Sequence, residues 1–312
     1  MKKLVLSLTC ALFVFIVLGS DSETGWVALG TKGSSADQFL GPIGVAVDQS
    51  GHIYVADQRN CRIVRMNDMS GAGWITLGTQ GHGPKQFYNP SSVAVDANGH
   101  IYVTDEGNSR IVRMNDMSGA GWTTVGSVGF GSNQFGTPDG IAVDTVGHVY
   151  VADYSGSCLV SVSMNDISGK GWSTLGSTRG SGINQFDHLS AVAVDASGRI
   201  YIADYGNDRI VCINDISGKG WIALGTSGKG SKHFDGPRGI AVDTRGRIYV
   251  ADDGNSRIIR MSDVSGKGWT AFGSNGSSTK QFSGPHGVAV DTSANIYVAD
   301  YSNNRIVRFT MP

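Results

Sequence analysis

GPIGVAVDQSGHIYVADQRNCRIVR, residues 41–65, is followed by five variants of itself in a chain of 312 residues. The Asp that ends each VAVD-like run falls at Asp48, Asp96, Asp144, Asp195, Asp243 and Asp291, at spacings of 48, 48, 51, 48 and 48. The Asp that ends each IYVAD-like run keeps step at Asp57, Asp105, Asp153, Asp204, Asp252 and Asp300. A Trp after a Gly-rich turn does the same at Trp26, Trp74, Trp122, Trp172, Trp221 and Trp269. A fixed period of this length marks a repeat architecture, in which each unit buries its apolar faces against its neighbours.

Within a unit, short apolar runs rich in β-branched and aromatic residues (45–47, 53–56, 63–66 and 74–77 in the first copy) are separated by Gly, Asn, Asp and Ser. The spacing predicts four strands per unit. The first three links are too short for a helical crossover, so the strands pair antiparallel as a meander. The fourth link, 79–92, is long enough to run from the outer edge of one sheet to the inner edge of the next. Such sheets at this period are the blades of an all-β, six-bladed propeller. The array opens on a lone fourth strand, 26–29, and stops after a third strand, 305–309. The two fragments complete the sixth blade, which predicts a ring closed by their pairing and leaves no unpaired edge at the join.

The pattern PxGVAVDxxGxIYVADxxNxRIVR, preceded by GxxGxxxxQF, resembles the NHL repeat over essentially all of residues 26–309. The resemblance implies a six-bladed NHL-type propeller. Such domains serve as protein-binding, RNA-binding and extracellular sensor modules, and related six-bladed propellers include metal-dependent lactonases and an amidating lyase.

Residues alike in nearly every unit are explained by the fold, because a group needed once for chemistry has no reason to appear six times. Gly51, Gly99, Gly147, Gly198 and Gly246 sit in the first hairpin link, where Gly adopts a positive φ freely. The sixth copy has Ala294, followed by Asn295, which tolerates the left-handed region. Phe39, Phe87, Phe135, Phe186, Phe234 and Phe282 precede each first strand and are expected to plug the seams between blades. The Trp residues are assigned to packing. The second Asp and the Arg opening strand three (Asp57 with Arg62, Asp105 with Arg110) predict a hairpin-closing ion pair, with Asn60 or Asn108 making turn hydrogen bonds. NDxSGxGW links such as 67–74 carry oxygen ligands but lack the acidic ladder of a calcium loop, and are read as Asx-turns. Unit three departs from the pattern. DYSGSCLVSVSMND, 153–166, is two residues longer and lacks the Asn and the Arg, so Asp153 loses its expected partner. The extra length reads as a loop insertion or as a place where a private function was added.

MKKLVLSLTCALFVFIVLGS has the basic start, apolar run and small residues of an export signal, assigned to 1–19, with the propeller at 20–312. The reading is an exported protein, periplasmic or extracellular, without stable membrane insertion; an uncleaved tether is the alternative. Cys61, Cys158 and Cys212 remain, an odd number without regular spacing, so no disulfide framework is expected. Gly, at 45 residues, fits a turn-rich chain. A net charge of −1 without basic runs advertises no nucleic-acid or anionic-membrane footprint.

Function is sought where the copies differ. The long link and the link between strands two and three emerge on one face. The position five before the first Asp places Ile43, Ser91, Asp139, Ser190, Arg238 and His286 around the channel mouth. The position after the second Asp gives a wider ring of Gln58, Glu106, Tyr154, Tyr205, Asp253 and Tyr301. Two readings stand: a binding site for a small polar ligand, a glycan or a peptide loop, or drift of exposed loop positions. One His in the mouth supports no three-imidazole zinc site. His52, His100 and His148 lie on the opposite face and read as a repeated solvent position, replaced by Arg199, Arg247 and Asn295. His286 and Asp139 could act as an acid–base pair only across the channel. One Arg against three carboxylates argues against RNA. The expectation is a recognition module, monomeric, with no cofactor, metal or assigned catalytic residue, binding a protein, peptide or glycan. A propeller hydrolase or lyase is the alternative.

Overall fold

The second strand of each repeat is buried on both faces, because its sheet is sandwiched between two others. Ile53–Asp57, Ile101–Asp105, Ile200–Asp204 and Ile248–Asp252 are buried over their whole length. The computed structural model describes residues 18–21, 25–163 and 171–311. Within them the strands form six antiparallel meanders. Blade 1 is Pro42–Val47, Ile53–Asp57, Arg62–Met66 and Ile75–Leu77. Blades 2 to 5 repeat this arrangement, and the first strands of all six blades touch in a closed ring. This is the six-bladed propeller expected from the period.

Closure follows the expected register. Trp26–Leu29 pairs with Arg305–Thr310 through Val27 with Arg308, Ala28 with Val307 and Leu29 with Ile306. The closing blade carries a further outer strand, Leu18–Asp21, paired with Trp26–Leu29. It takes in the last two residues of the 1–19 segment read as a leader; residues 1–17 lie outside the described residues.

Six apolar clusters fill the six seams. In one of them Phe39, Val45, Val55 and Met66 of blade 1 meet Leu29, Tyr297, Ala299 and Ile306 of blade 6. All six Phe residues are fully buried at these seams. In blades 1 to 5 each Phe packs against the Trp of its own blade, with ring centroids 5.0–5.2 Å apart. Cys61, Cys158 and Cys212 are buried thiols without disulfides.

Two carboxylate motifs hold each blade. At the hairpin-closing Asp, Asp57 accepts from the Leu40 N–H at 2.7 Å, Asn60 Nδ2 at 2.8 Å and Arg62 Nε at 2.7 Å. Arg62 also donates to the Ser34 and Gln38 carbonyls, tying the long link to the hairpin. The same clamp recurs at Asp105, Asp204, Asp252 and Asp300, so the expected ion pair is present. Asp153 keeps a full complement by other means: the Gly136, Thr137 and Gly156 N–H groups donate to it at 2.8, 2.8 and 3.1 Å. Gly156 is required there, since a Cβ would lie 2.8 Å from Asp153 Oδ2. The two extra residues of unit three are not in this link. Asp153 still pairs with the residue five on, Cys158, and the strand runs on to Ser163, so the added length falls at the opposite end of the blade.

The second motif gives the three solvent-facing histidines a carboxylate partner. Nδ1 of His52 lies 2.8 Å from Oδ2 of Asp48, which also accepts from the Tyr54 hydroxyl at 3.1 Å. His100 and His148 repeat this contact on Asp96 and Asp144. Arg199, Arg247 and Asn295 take the same place on Asp195, Asp243 and Asp291. The position varies among residues able to donate to one carboxylate. In the sixth copy Ala294 itself adopts the left-handed conformation, φ 65°, and Asn295 instead begins a strand and donates to Asp291. The NDxSGxGW-type links in units 1, 2, 4 and 5 form Asx-turns, with the Ser70, Ser118, Ser217 and Ser265 N–H groups donating to Oδ1 of Asp68, Asp116, Asp215 and Asp263 at 2.7–2.9 Å.

Candidate functional site

Small residues in the first strands let those strands crowd the axis. A Cβ on Gly239 would lie 2.2 Å from the His286 carbonyl, and one on Gly287 would lie 2.4 Å from that of Ile43. The channel therefore narrows to a waist holding only about 80 Å³, ringed by Ile43, Ser91, Asp139, Ser190, Arg238 and His286. Above it opens a cavity of about 350 Å³ on the mouth face.

Of the residues singled out by ring position, Glu106, Asp139, Tyr154, Arg238, His286 and Tyr301 line this cavity together with Ile43 and Gln58. Tyr205 and Asp253 hold one of them in place. Asp253 Oδ2 accepts from Arg238 Nε at 3.0 Å, and the Arg238 guanidinium lies 4.4 Å from the centre of the Tyr205 ring. His286 stacks on Tyr301 with centroids 4.4 Å apart and planes 12° from parallel, and Arg59 lies over the same tyrosine at 5.2 Å.

Ser91 and Ser190 reach the waist but turn their hydroxyls into the seams. Ser91 Oγ is 2.9 Å from Thr104 Oγ1 and 3.0 Å from the Pro138 carbonyl of the next blade. Ser190 Oγ donates to the Pro237 carbonyl at 2.8 Å. Ser91→Ala is expected to lower stability by about 1–2 kcal/mol in urea denaturation and to leave ligand binding unchanged. A binding defect without destabilisation would place that hydroxyl on the ligand instead. Two lining residues were missed in sequence, Thr137 and Ser155, whose hydroxyls bond to each other at 2.5 Å. Both belong to blade 3, whose departure from the repeat was their available signal.

The electrostatics of the mouth are uneven. Burial and then repulsion from Glu106 push the Asp139 carboxyl up to about 7. Burial likewise raises Glu106, which receives only the Gln58 amide, at 3.1 Å. Burial, reinforced by Arg238, pushes His286 down to about 3, so its imidazole is neutral near pH 7. Nδ1 of His286 is shielded from water and has no hydrogen-bond partner among the described residues. No group of three His, Cys, Asp or Glu side chains among the described residues is placed to hold a metal ion.

The family model described as the NHL repeat matches residues 39–66, 87–114, 186–213, 234–260 and 282–309. The protein is an NHL-repeat propeller. The five matches fall on blades 1, 2, 4, 5 and 6 of the NHL propeller and pass over blade 3, which supplies Thr137, Asp139, Tyr154 and Ser155 to the cavity.

Solved structures share the fold. A protein of unknown function from Bacteroides thetaiotaomicron is 15% identical with a TM-score of 0.69, over 91% of this chain and 76% of that one. A gluconolactonase from Xanthomonas campestris is 12% identical with a TM-score of 0.66, over 95% and 94%. An auxiliary nutrient binding protein from Bacteroides thetaiotaomicron is 15% identical with a TM-score of 0.65, over 95% and 75%. At these identities the likeness is one of architecture. A comparison with curated protein sequences finds no match.

Proposed function

We propose that this NHL propeller is an exported recognition module that takes a small ligand, or the tip of a peptide or glycan, into its mouth cavity. The observation that carries the reading is a division of labour among the positions. Side chains alike in every copy close hairpins and fill seams, whereas dissimilar ones from blades 1, 2, 3, 5 and 6 converge on one concave cavity. Aromatic faces beside a few fixed polar groups are the usual furnishing of a small-ligand site.

Glycan and peptide arrays probed with the wild type and Tyr301→Ala test it. The expected result is saturable binding that weakens roughly 30-fold or more in the variant, the scale of an aromatic hot spot. Binding that is indifferent to Tyr301→Ala would remove the mouth from the reading. One observation favours a second reading, a propeller hydrolase or lyase: a carboxyl titrating near neutrality, Asp139, is suited to general acid–base work. Turnover abolished by Asp139→Asn with ligand binding intact would favour that reading.

A further inference from the structure

Charges in the mouth do not balance. Arg238 is the one cationic side chain lining the cavity, and Asp253 occupies its Nε. That pair is neutral in sum. His286 contributes no positive charge near pH 7. Two carboxylates are left. Glu106 has the neutral Gln58 amide and no ion pair, and the Asp139 side chain has neither hydrogen bond nor ion pair among the described residues. Above about pH 7, where Asp139 ionises, they repel each other from adjacent blades in partly dehydrated surroundings, an arrangement that costs free energy until a counter-charge or a proton arrives.

We propose that the mouth cavity selects a ligand bearing a protonated amine, with Glu106 and Asp139 as its counter-charges. The inference rests on the recognition reading above and specifies the ligand for that site. An ammonium group carries three N–H donors and the missing positive charge, so it satisfies both carboxylates at once. The Tyr154 and Tyr301 rings line the same cavity and offer faces that attract a cation or pack against the ligand's apolar part. Independently of the acidic pair, the same cavity is lined by the His286 ring, a mostly buried neutral imidazole whose Nδ1 has no hydrogen-bond partner among the described residues. An anionic ligand meets two acidic groups that Arg238, already paired with Asp253, compensates only in part. A neutral polyol meets their hydrogen-bonding capacity but leaves their charge unmatched.

Three matched pairs of probes differ only in amine against hydroxyl: phenethylamine and 2-phenylethanol, glucosamine and glucose, cadaverine and 1,5-pentanediol. Calorimetry on the full chain at pH 7.5 and low salt is expected to show the amine binding more tightly in at least one pair. The preference should be roughly tenfold or more and should disappear in both Glu106→Gln and Asp139→Asn. Both replacements are nearly isosteric, and thermal melts establish that each variant is folded. The proposal is overturned if hydroxyl and amine bind alike in every pair, if neither binds, or if the preference survives both substitutions. Calcium binding with no amine binding also overturns it. If amine preference is absent while array binding is still abolished by Tyr301→Ala, this inference fails and the recognition reading stands.

Discussion

Deletion of residues 1–30 is expected to abolish the single cooperative unfolding transition of the full chain and to produce oligomers. Those residues contain two strands of blade 6, Leu18–Asp21 at its outer edge and Trp26–Leu29, which is hydrogen-bonded to Arg305–Thr310 across the join. Trp26 stacks on Phe309 with centroids 4.0 Å apart and planes 5° from parallel. Trp26 and Ala28 belong to the apolar cluster between blades 5 and 6, whereas Leu29 belongs to the one between blades 6 and 1. Losing Trp26–Leu29 therefore opens both seams of the closing blade. Each large apolar side chain removed from a core of this kind costs about 2–5 kcal/mol, against a total domain stability of about 5–15 kcal/mol. The Arg305–Thr310 edge left behind is a run of unpaired backbone groups, a template for pairing with another copy. Thermal melts and light scattering on the shortened chain check this. An unchanged melting temperature with a monomeric mass would mean that the ring is held by its other five blades alone.

The fold was legible because its instructions are written six times. Every blade has the Phe under the seam, five have the Gly in the first hairpin and five the Asp–Arg clamp, so these stand out against positions free to vary. The mouth was legible only in outline. Counting from the two Asp residues locates a ring at one end of the channel, but it does not say which way a side chain turns. Ser91 and Ser190 turn into the seams because carbonyls of the next blade lie within hydrogen-bond reach, a contact between residues 47 positions apart in sequence. Tyr205 and Asp253 act through Arg238 for a similar reason. The partners of the solvent-facing His52, His100 and His148 were not legible because a donor shared by His, Arg and Asn has no single residue type to repeat. Blade 3 carries the most instructive departure. Losing the Arg and Asn leaves its mouth link held by backbone N–H groups on Asp153, and this blade contributes more side chains to the cavity than any other.

Stability between about pH 4 and 6.5 should divide in opposite directions when the two perturbed groups of the mouth are replaced singly. His286 ordinarily titrates near 6.5 and is pushed down to about 3 in the folded chain. Its contribution to stability is complete above 6.5 and is lost as the pH falls toward 3, because the unfolded chain takes up a proton that the folded chain refuses. Asp139 ordinarily titrates near 3.8 and is pushed up to about 7. Its contribution is complete below 3.8 and is lost as the pH rises toward 7, because the folded chain retains a proton that the unfolded chain has released. Across their shared window the two slopes oppose each other, one proton against one, and the wild type conceals both. Asp139→Asn is expected to make stability rise with pH relative to the wild type, and His286→Gln to make it fall. A one-proton slope is about 1.4 kcal/mol per pH unit, so each difference reaches about 3 kcal/mol across the window. Glu106 and Arg238 line the same cavity, and Asp253 lies against Arg238 and His286; burial raises both carboxyls. Asp139 is uncharged in the folded chain across this window, so its replacement by Asn leaves the charge around Glu106 unchanged. Urea denaturation of the three proteins at half-unit pH steps reads the slopes directly. Parallel profiles would show that Asp139 and His286 titrate alike in the folded and unfolded chains, and the mouth would lose the dehydrated character on which its preference for a charged guest depends.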